Sequence, residues 1–475
     1  MTEEFPFFLA GQPVRSGRSL EIRHPYNDNL VATTWLAGED EFERAAASAV
    51  DAAEVMRRLP AYERAAILAA TSAGIKRERE TIAATVAREA GKPIKDALIE
   101  TDRAAMTFHV ASEEARRIGG DVIPMDLAEH GKGRFALTRR FPIGPVAAIS
   151  PFNFPLNLTA HKLAPAVAAG NPIVLKPATK TPLSALNLAR LLLESGLPPA
   201  AISVLPMERK TGDRLVSDER FKLLTFTGSS PVGWGMKARA GKKRVILELG
   251  GNAGVIVDNS ADLELAAKRV AVGGFAFSGQ SCISVQRVYV HTDVYAGFAS
   301  RLTTLVEALK IGDPLDPSTD LGPMIDAGEA ERIDAWVREA VAAGATVLTG
   351  GRRIGDALYE PTVLTDVPAD AKVCAQEAFA PLVVLARFNH FDEALREVNR
   401  STFGLQAGVF TGSLDRTLRA FDEIETGGVI VNDVPTWRID HMPYGGVKDS
   451  GLGREGPRYT IEEMTELKLL VINRP

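Results

Sequence analysis

Short apolar runs and helical stretches take turns from Val146 onward, and this alternation limits the possible folds more than any other feature. Val146 to Ser150 and Pro172 to Lys176 read as strands, with Leu156 to Ala169 as the helix between them. Ser184 to Ser195 reads as a helix, and Ala201 to Leu205 and Leu223 to Thr227 as further strands. A second series opens with Val245 to Leu249 and Ala253 to Val257. It continues through the helix Leu263 to Phe275, the strand Arg287 to His291 and the helix Val294 to Lys310, and runs on to Val431. Strands separated by helices predict parallel, doubly wound α/β sheets. A chain of 475 residues is too long for one simple core. With no repeat period and no flexible linker, interleaved domains are expected.

The flanks read differently. Residues 41 to 57 and 61 to 90 have helical spacing of apolar positions, and a further helix runs from Pro93 to about Ile118, where Gly119-Gly120 stops it. Asp121 to Arg140 predicts an extended hairpin around His130-Gly131-Lys132-Gly133, and 312 to 324 an irregular loop. The chain closes on an apolar strand, Thr465 to Ile472, an exposed edge unless another subunit covers it. A net charge of −5 gives no cationic field, so no nucleic-acid partner is expected. Two cysteines cannot build a disulfide framework, Met1 to Pro6 is unlike a secretory signal, and the apolar stretch Leu163 to Leu175 is broken by Pro165, Gly170, Asn171 and Pro172. A cytoplasmic protein with no membrane partner is expected, and no metal site is assigned.

One of the two cysteines carries the chemistry. Cys282 ends Phe277-Ser278-Gly279-Gln280-Ser281-Cys282, and a glycine-bearing turn before a thiol allows close backbone approach. Glu248, in Leu247-Glu248-Leu249-Gly250-Gly251, is a carboxylate on its own turn and can serve as a base in a later step. Cys374 is expected to be a buried small residue. Asn153, in Pro151-Phe152-Asn153-Phe154-Pro155 at a strand end, either aims its amide at an oxyanion or caps a helix. Lys176 at the next strand end either donates to a cofactor ribose or is a solvated loop lysine. Phe226-Thr227-Gly228-Ser229 opens a helix whose amides suit a pyrophosphate, although no GxGxxG fingerprint is present.

Taken in order with Glu377-Ala378-Phe379-Ala380-Pro381 and Met442-Pro443-Tyr444-Gly445-Gly446-Val447-Lys448-Asp449-Ser450-Gly451, these motifs make the chain resemble the aldehyde dehydrogenase superfamily over nearly its whole length, in its hydrolytic, non-CoA-acylating form. The resemblance implies two doubly wound α/β domains and a small β oligomerisation domain. A dinucleotide-binding domain is expected over 1–120 and 141–247, a catalytic domain over 248–434, a pocket loop and return segment over 435–454, and the oligomerisation sheet over 121–140 and 455–475. A homodimer or homotetramer is implied. So is a mechanism in which Cys282 attacks an aldehyde, Asn153 and the Cys282 N–H hold the oxyanion, hydride passes to a nicotinamide, and Glu248 activates the water that hydrolyses the thioester. Lys176 then holds the adenosine ribose, Glu377 the nicotinamide ribose, with Phe379 beside the ring and Gly228 and Ser229 near the pyrophosphate.

Two departures from the family pattern bear on specificity. Thr179, followed by Lys180, stands where NAD-preferring relatives often carry glutamate. Without that carboxylate a 2′-phosphate is not repelled, so NADP or dual use is favoured over NAD alone. Ala380 replaces the usual glycine after Phe379. The family's aldehyde tunnel maps onto Arg103, His161 and Arg438, close to Tyr444. Two guanidinium groups in a closed tunnel are costly unless an anion meets them, which points to a short aldehyde bearing carboxylate, phosphate, phosphonate or sulfonate. The alternative turns each arginine to a surface carboxylate such as Asp440. Two rival functions remain at this level: a cofactor-independent thiol esterase or hydrolase, and a catalytically silent structural relative.

Overall fold

The computed structural model describes residues 3–474. Two large sheets carry the chain. The first has eight strands in the order Gly451–Leu452, Arg244–Glu248, Leu223–Thr227, Val146–Ile149, Ile173–Lys176, Ile202–Val204, Phe7–Leu9 and Gln12–Val14. The five strands from Arg244–Glu248 to Ile202–Val204 are parallel. Helices cover both faces of such a strand set, so runs like Val146-Ala147-Ala148-Ile149 are buried throughout and show no alternation. From Val146–Ile149 the chain winds outward through Ile173–Lys176 and Ile202–Val204, then returns to the other side with Leu223–Thr227. That reversal opens a crevice at the carboxyl ends of Val146–Ile149 and Leu223–Thr227, where open α/β sheets bind ligands.

The second sheet has seven strands in the order Thr346–Thr349, Thr362–Thr365, Leu382–Phe388, Val285–His291, Ala253–Val257, Gln406–Phe410 and Gly428–Val431. It is parallel apart from its first strand. The chain crosses from one sheet to the other at Leu249-Gly250-Gly251-Asn252, between the strands Arg244–Glu248 and Ala253–Val257. Both doubly wound sheets anticipated from the alternation are present.

A third sheet pairs Thr465–Asn473 antiparallel to Arg134–Pro142 along its whole length, with Val122–Ile123 on the far side. One edge of Thr465–Asn473 has no strand neighbour among the described residues, and Leu467, Leu469, Leu470, Val471 and Ile472 are each 42–55% exposed.

Several boundaries differ from the sequence reading. The helix expected over 61 to 90 is two, Ala61–Arg77 and Arg79–Ala90, because Glu78 leaves helical geometry (φ −105, ψ 21) and its carboxylate is held by Arg190. The helix after Pro93 ends at Glu114, a turn before Ile118. Gly119-Gly120 then serves a close approach, since a Cβ on Gly120 would lie 2.0 Å from the Thr138 carbonyl oxygen. A short helix, Pro457–Glu463, precedes the last strand. The opening three-stranded sheet (Glu3–Glu4, Ser19–Arg23 and Leu30–Trp35) was not foreseen. Among the described residues no helix is long and apolar enough to cross a membrane.

Candidate active site

The junction between the sheets gathers the chemistry. Glu248 is the last residue of a first-sheet strand, and Cys282 lies just before the second-sheet strand Val285–His291. The loop carrying Cys282 is held in an unusual path. Phe277 (φ 48) and Ser278 (φ 55) are both left-handed, at a cost of roughly 1–3 kcal/mol each. Buried hydrogen bonds hold them there. Ser278 Oγ donates to the Gly322 carbonyl at 2.6 Å, and Gln280 Oε1 accepts from the Ile325 amide at 2.8 Å. The crossing segment runs tightly beside this loop: a Cβ on Gly251 would lie 2.1 Å from the Cys282 carbonyl oxygen.

Cys282 forms part of the wall of two cavities. One, of about 480 Å³, opens at the first-sheet crevice and is lined by Asn153, Gly228, Ser229, Glu248, Glu377 and Phe379, among others. The other, of about 230 Å³, is lined by Arg103, Phe154, Phe277, Arg438 and Tyr444. A larger hollow of about 660 Å³ lies beside the small sheet and is lined by neither cysteine.

On the first cavity's side, Asn153 Nδ2 donates to the Gln280 carbonyl at 3.0 Å, which leaves its second N–H free. Both Glu248 oxygens are buried with no hydrogen-bond partner. Burial, and then the Glu455 charge, hold the Glu248 carboxyl well above its usual range. Glu377 Oε1 accepts from the Gly251 amide at 2.8 Å, and burial pushes its carboxyl up to about 7. A Cβ on Gly250 would meet Glu377 Oε2 at 2.3 Å, so only glycine lets that carboxylate stand there. Phe379 (φ 47) packs edge-on against Phe152 with ring centroids 5.9 Å apart. Ala380 is buried away from this cavity, with its carbonyl against Gly279.

Ser229 is the N-cap of the helix Ser230–Arg239, and no side chain caps that helix's first amides. Lys176 and Thr179 stand at the end of Ile173–Lys176, and the residue of that loop lining the cavity is Ala178. Burial lowers the Lys176 ammonium to about 8, and among the described residues its one hydrogen bond is to the neighbouring Pro177 carbonyl at 3.3 Å. Lys180 is engaged with Asp326.

The second cavity corrects part of the substrate reading. His161 is fully buried and lines neither cavity; its Nε2 lies 2.9 Å from Asp440 and 3.2 Å from Arg438 Nη2. Burial, then Arg438, lower its basicity. Arg103 lines the cavity but is held by Asp440 through two hydrogen bonds, 3.1 and 2.9 Å. The alternative weighed for the arginines is therefore the one Arg103 adopts, with Asp440 buried rather than at the surface. Arg438 does not turn outward. Its side chain is 4% exposed, its Nη2 meets Glu455 at 3.3 Å, and its Nε is buried without a partner. Its guanidinium lies 3.7 Å from the Tyr444 ring centroid, a cation–π contact worth about 2 kcal/mol when desolvated.

Cys282 Sγ lies 3.0 Å from the Tyr444 hydroxyl. Burial pushes the thiol up to about 12. Cys374, expected to be buried, is partly buried, and burial raises its thiol above the usual range.

Sequence reasoning missed the buried charges behind these groups. Lys162 donates to Thr227 Oγ1 at 2.7 Å and lies 3.6 Å from Glu455, while Lys92 pairs with Glu100 beneath Phe154 and Phe277. One signal was available. Lys162 is a lone ammonium in a helix, Asn157–Ala169, whose every residue is buried, and such a charge needs partners.

The profile of the Aldehyde dehydrogenase family matches residues 13–470. The chain belongs to the aldehyde dehydrogenase family. It is 44% identical to the 3-sulfolactaldehyde dehydrogenase of Priestia megaterium, covering 99% of this chain and 98% of that one. Aldehyde dehydrogenase 21 from Physcomitrella patens, solved with the reaction product succinate, superposes with a TM-score of 0.98 at 47% identity, covering 100% of this chain and 99% of that one. Glyceraldehyde-3-phosphate dehydrogenase from Methanocaldococcus jannaschii, solved with NADP, gives a TM-score of 0.93 at 37% identity, covering 96% of this chain and 100% of that one. The enzyme is thus an NAD(P)-dependent aldehyde dehydrogenase, and both rival functions fall away.

Proposed function

We propose that this aldehyde dehydrogenase oxidises a short aldehyde bearing an anionic group to its carboxylic acid, with NADP preferred or used alongside NAD. The observation that carries the reading is the position of Cys282 on the shared wall of two cavities, one suited to a dinucleotide and the other holding a buried arginine. Three relatives support the substrate class, because sulfolactaldehyde, succinate and glyceraldehyde 3-phosphate all carry an anion close to the reacting carbon.

Each residue has a task that follows from its surroundings. The Cys282 sulfur attacks the aldehyde carbon, and the new oxyanion takes the second N–H of Asn153 and the Cys282 N–H, which donates to no other group among the described residues. The dinucleotide fits the larger cavity, where the Glu377 carboxylate, the uncapped start of Ser230–Arg239 and the Phe379 face await a ribose, a pyrophosphate and a flat ring. A nicotinamide held there would supply the hydride acceptor that oxidation of the Cys282 adduct requires. Glu248 then draws a proton from the water that attacks the resulting thioester. Lys176, desolvated and with no carboxylate partner among the described residues, is the cation for the adenosine end, and Thr179, three residues on, brings no carboxylate to repel a 2′-phosphate.

Arg438 is the anchor for the substrate anion. Arg103 is already neutralised by Asp440 and shapes the wall. A panel of short aldehydes, charged and neutral, assayed with NADP and with NAD, tests the reading. The charged members should be favoured with NADP at least as good as NAD. Replacing Arg438 by Lys, which leaves a cation for Glu455 but removes the planar fork, should cut that preference roughly 10- to 100-fold. A panel that favours neutral aldehydes refutes the anion, and strict use of NAD refutes the 2′-phosphate.

The domain limits drawn from the sequence follow the same division of labour. Residues 1–120 and 141–247 serve the dinucleotide and 248–434 the thiol, while 121–140 and the last strand form an assembly surface. The free, apolar edge of Thr465–Asn473 supports a homodimer or homotetramer, and a monomeric mass in sedimentation would refute it. A catalytic thiol that must stay reduced, with both cysteines free, fits the cytoplasm.

A further inference from the structure

The Tyr444 hydroxyl has a single hydrogen-bond partner among the described residues, the Cys282 sulfur at 3.0 Å. Tyr444 itself is buried, and the Arg438 guanidinium lies over its ring. We propose that Tyr444 is a catalytic residue: its hydroxyl donates to the Cys282 thiolate and so sets the pH at which the nucleophile forms, with Arg438 as a positioning residue acting through the ring. This rests on Cys282 being the nucleophile and adds the group that makes its ionisation attainable.

A thiolate accepts hydrogen bonds and cannot donate one. Whichever atom donates while the thiol is protonated, the phenol must be the donor once the proton has gone. Such a charge-assisted bond is among the stronger ones a buried site offers. The thiol needs the help, because burial alone opposes its ionisation, as do the Glu377 and Glu248 charges on the cofactor side. Cations elsewhere in the substrate cavity are engaged: Lys92 with Glu100, Arg103 with Asp440 and Arg269 with Asp433. Asp96, also on that wall, is driven toward its neutral form by burial. What remains facing the sulfur favourably is the Tyr444 hydroxyl and the Arg438 charge. The guanidinium draws on the ring's π-face and strengthens its O–H as a donor. The thiol proton leaves to solvent, the tyrosine keeps its own, and the sulfur lone pair forms the bond to the aldehyde carbon.

Tyr444→Phe keeps the ring and its stack while removing the one hydroxyl. Iodoacetamide alkylation of the cofactor-free enzyme, followed against pH together with the ultraviolet absorbance of the thiolate, reads the ionisation directly. The midpoint should rise by about one to two pH units and alkylation at neutral pH should slow about 10- to 100-fold. The acidic limb of the kcat/KM profile should move with it. Arg438→Lys should shift the midpoint the same way by less. An unchanged midpoint in Tyr444→Phe overturns the proposal, whether or not the melting temperature falls. A Cys374→Ser background makes Cys282 the one thiol that can titrate. Cys282→Ala with Cys374 left in place separates the two readings, because aldehyde oxidation that survives there means that it is the nucleophile assignment that fails.

Discussion

Cys282→Ala should lose aldehyde oxidation by on the order of 10⁴-fold or more while still binding the dinucleotide. The sulfur is the one atom lying on both cavity walls from which a covalent adduct can form, and the substitution removes nothing that lines the dinucleotide side except that atom. Quenching of protein fluorescence by added cofactor checks binding, and reduced-cofactor absorbance checks turnover. Substantial oxidation in the alanine variant would remove the thiol from the mechanism. Loss of cofactor binding along with activity would mean that the loop had rearranged. Its three consecutive left-handed residues, Phe277, Ser278 and Gly279, make this second outcome worth measuring separately.

Glu248→Gln should separate the two halves of the reaction. Acylation does not need the carboxylate, so one equivalent of reduced cofactor should appear as a burst. Steady-state turnover should then fall roughly 10²- to 10⁴-fold, with thioester accumulating on Cys282. Mass spectrometry of the quenched enzyme detects that adduct. The same group sets a pH dependence. A base works only when deprotonated, and burial with the Glu455 charge raises this carboxyl well above 4.5. Thioester hydrolysis should therefore fade as pH drops through a midpoint above the ordinary carboxylate range, while the burst survives to lower pH. Equal fading of burst and steady state would assign the limb to another group.

The parts of the fold that the sequence announced are those where one local pattern governs. Parallel strands buried on both faces appear as unbroken apolar runs, and the helices between them appear by their spacing, so Val146–Ile149, Leu223–Thr227 and Leu263–Phe275 were legible almost to the residue. The break at Glu78 was hidden because it depends on Arg190, which lies over a hundred positions away in the chain. The opening strands were missed because they are short and irregular: Phe7–Leu9 is only the far margin of a sheet whose centre comes later. In the site, the sequence motifs pointed to Asn153, Glu248, Cys282 and Glu377, and the fold brings all four to the wall of one cavity. The same reading misplaced His161, which is buried behind the cavity wall, and did not foresee that Arg103, which does line the cavity, is already paired; the partner of both, Asp440, stands several hundred positions along the chain. Long-range pairing of charges leaves no periodic trace.

The crossing at Leu249-Gly250-Gly251-Asn252 has a consequence for anyone redesigning this enzyme. Glu248 and Cys282, the base and nucleophile proposed above, hang from separate sheets, so neither hydrophobic interior alone dictates how far apart they stand. That spacing is written into a seam a few atoms wide, where even a methyl group on Gly251 would collide with the peptide that carries the thiol. A redesign that keeps the distance between these two groups must therefore begin by leaving the seam untouched.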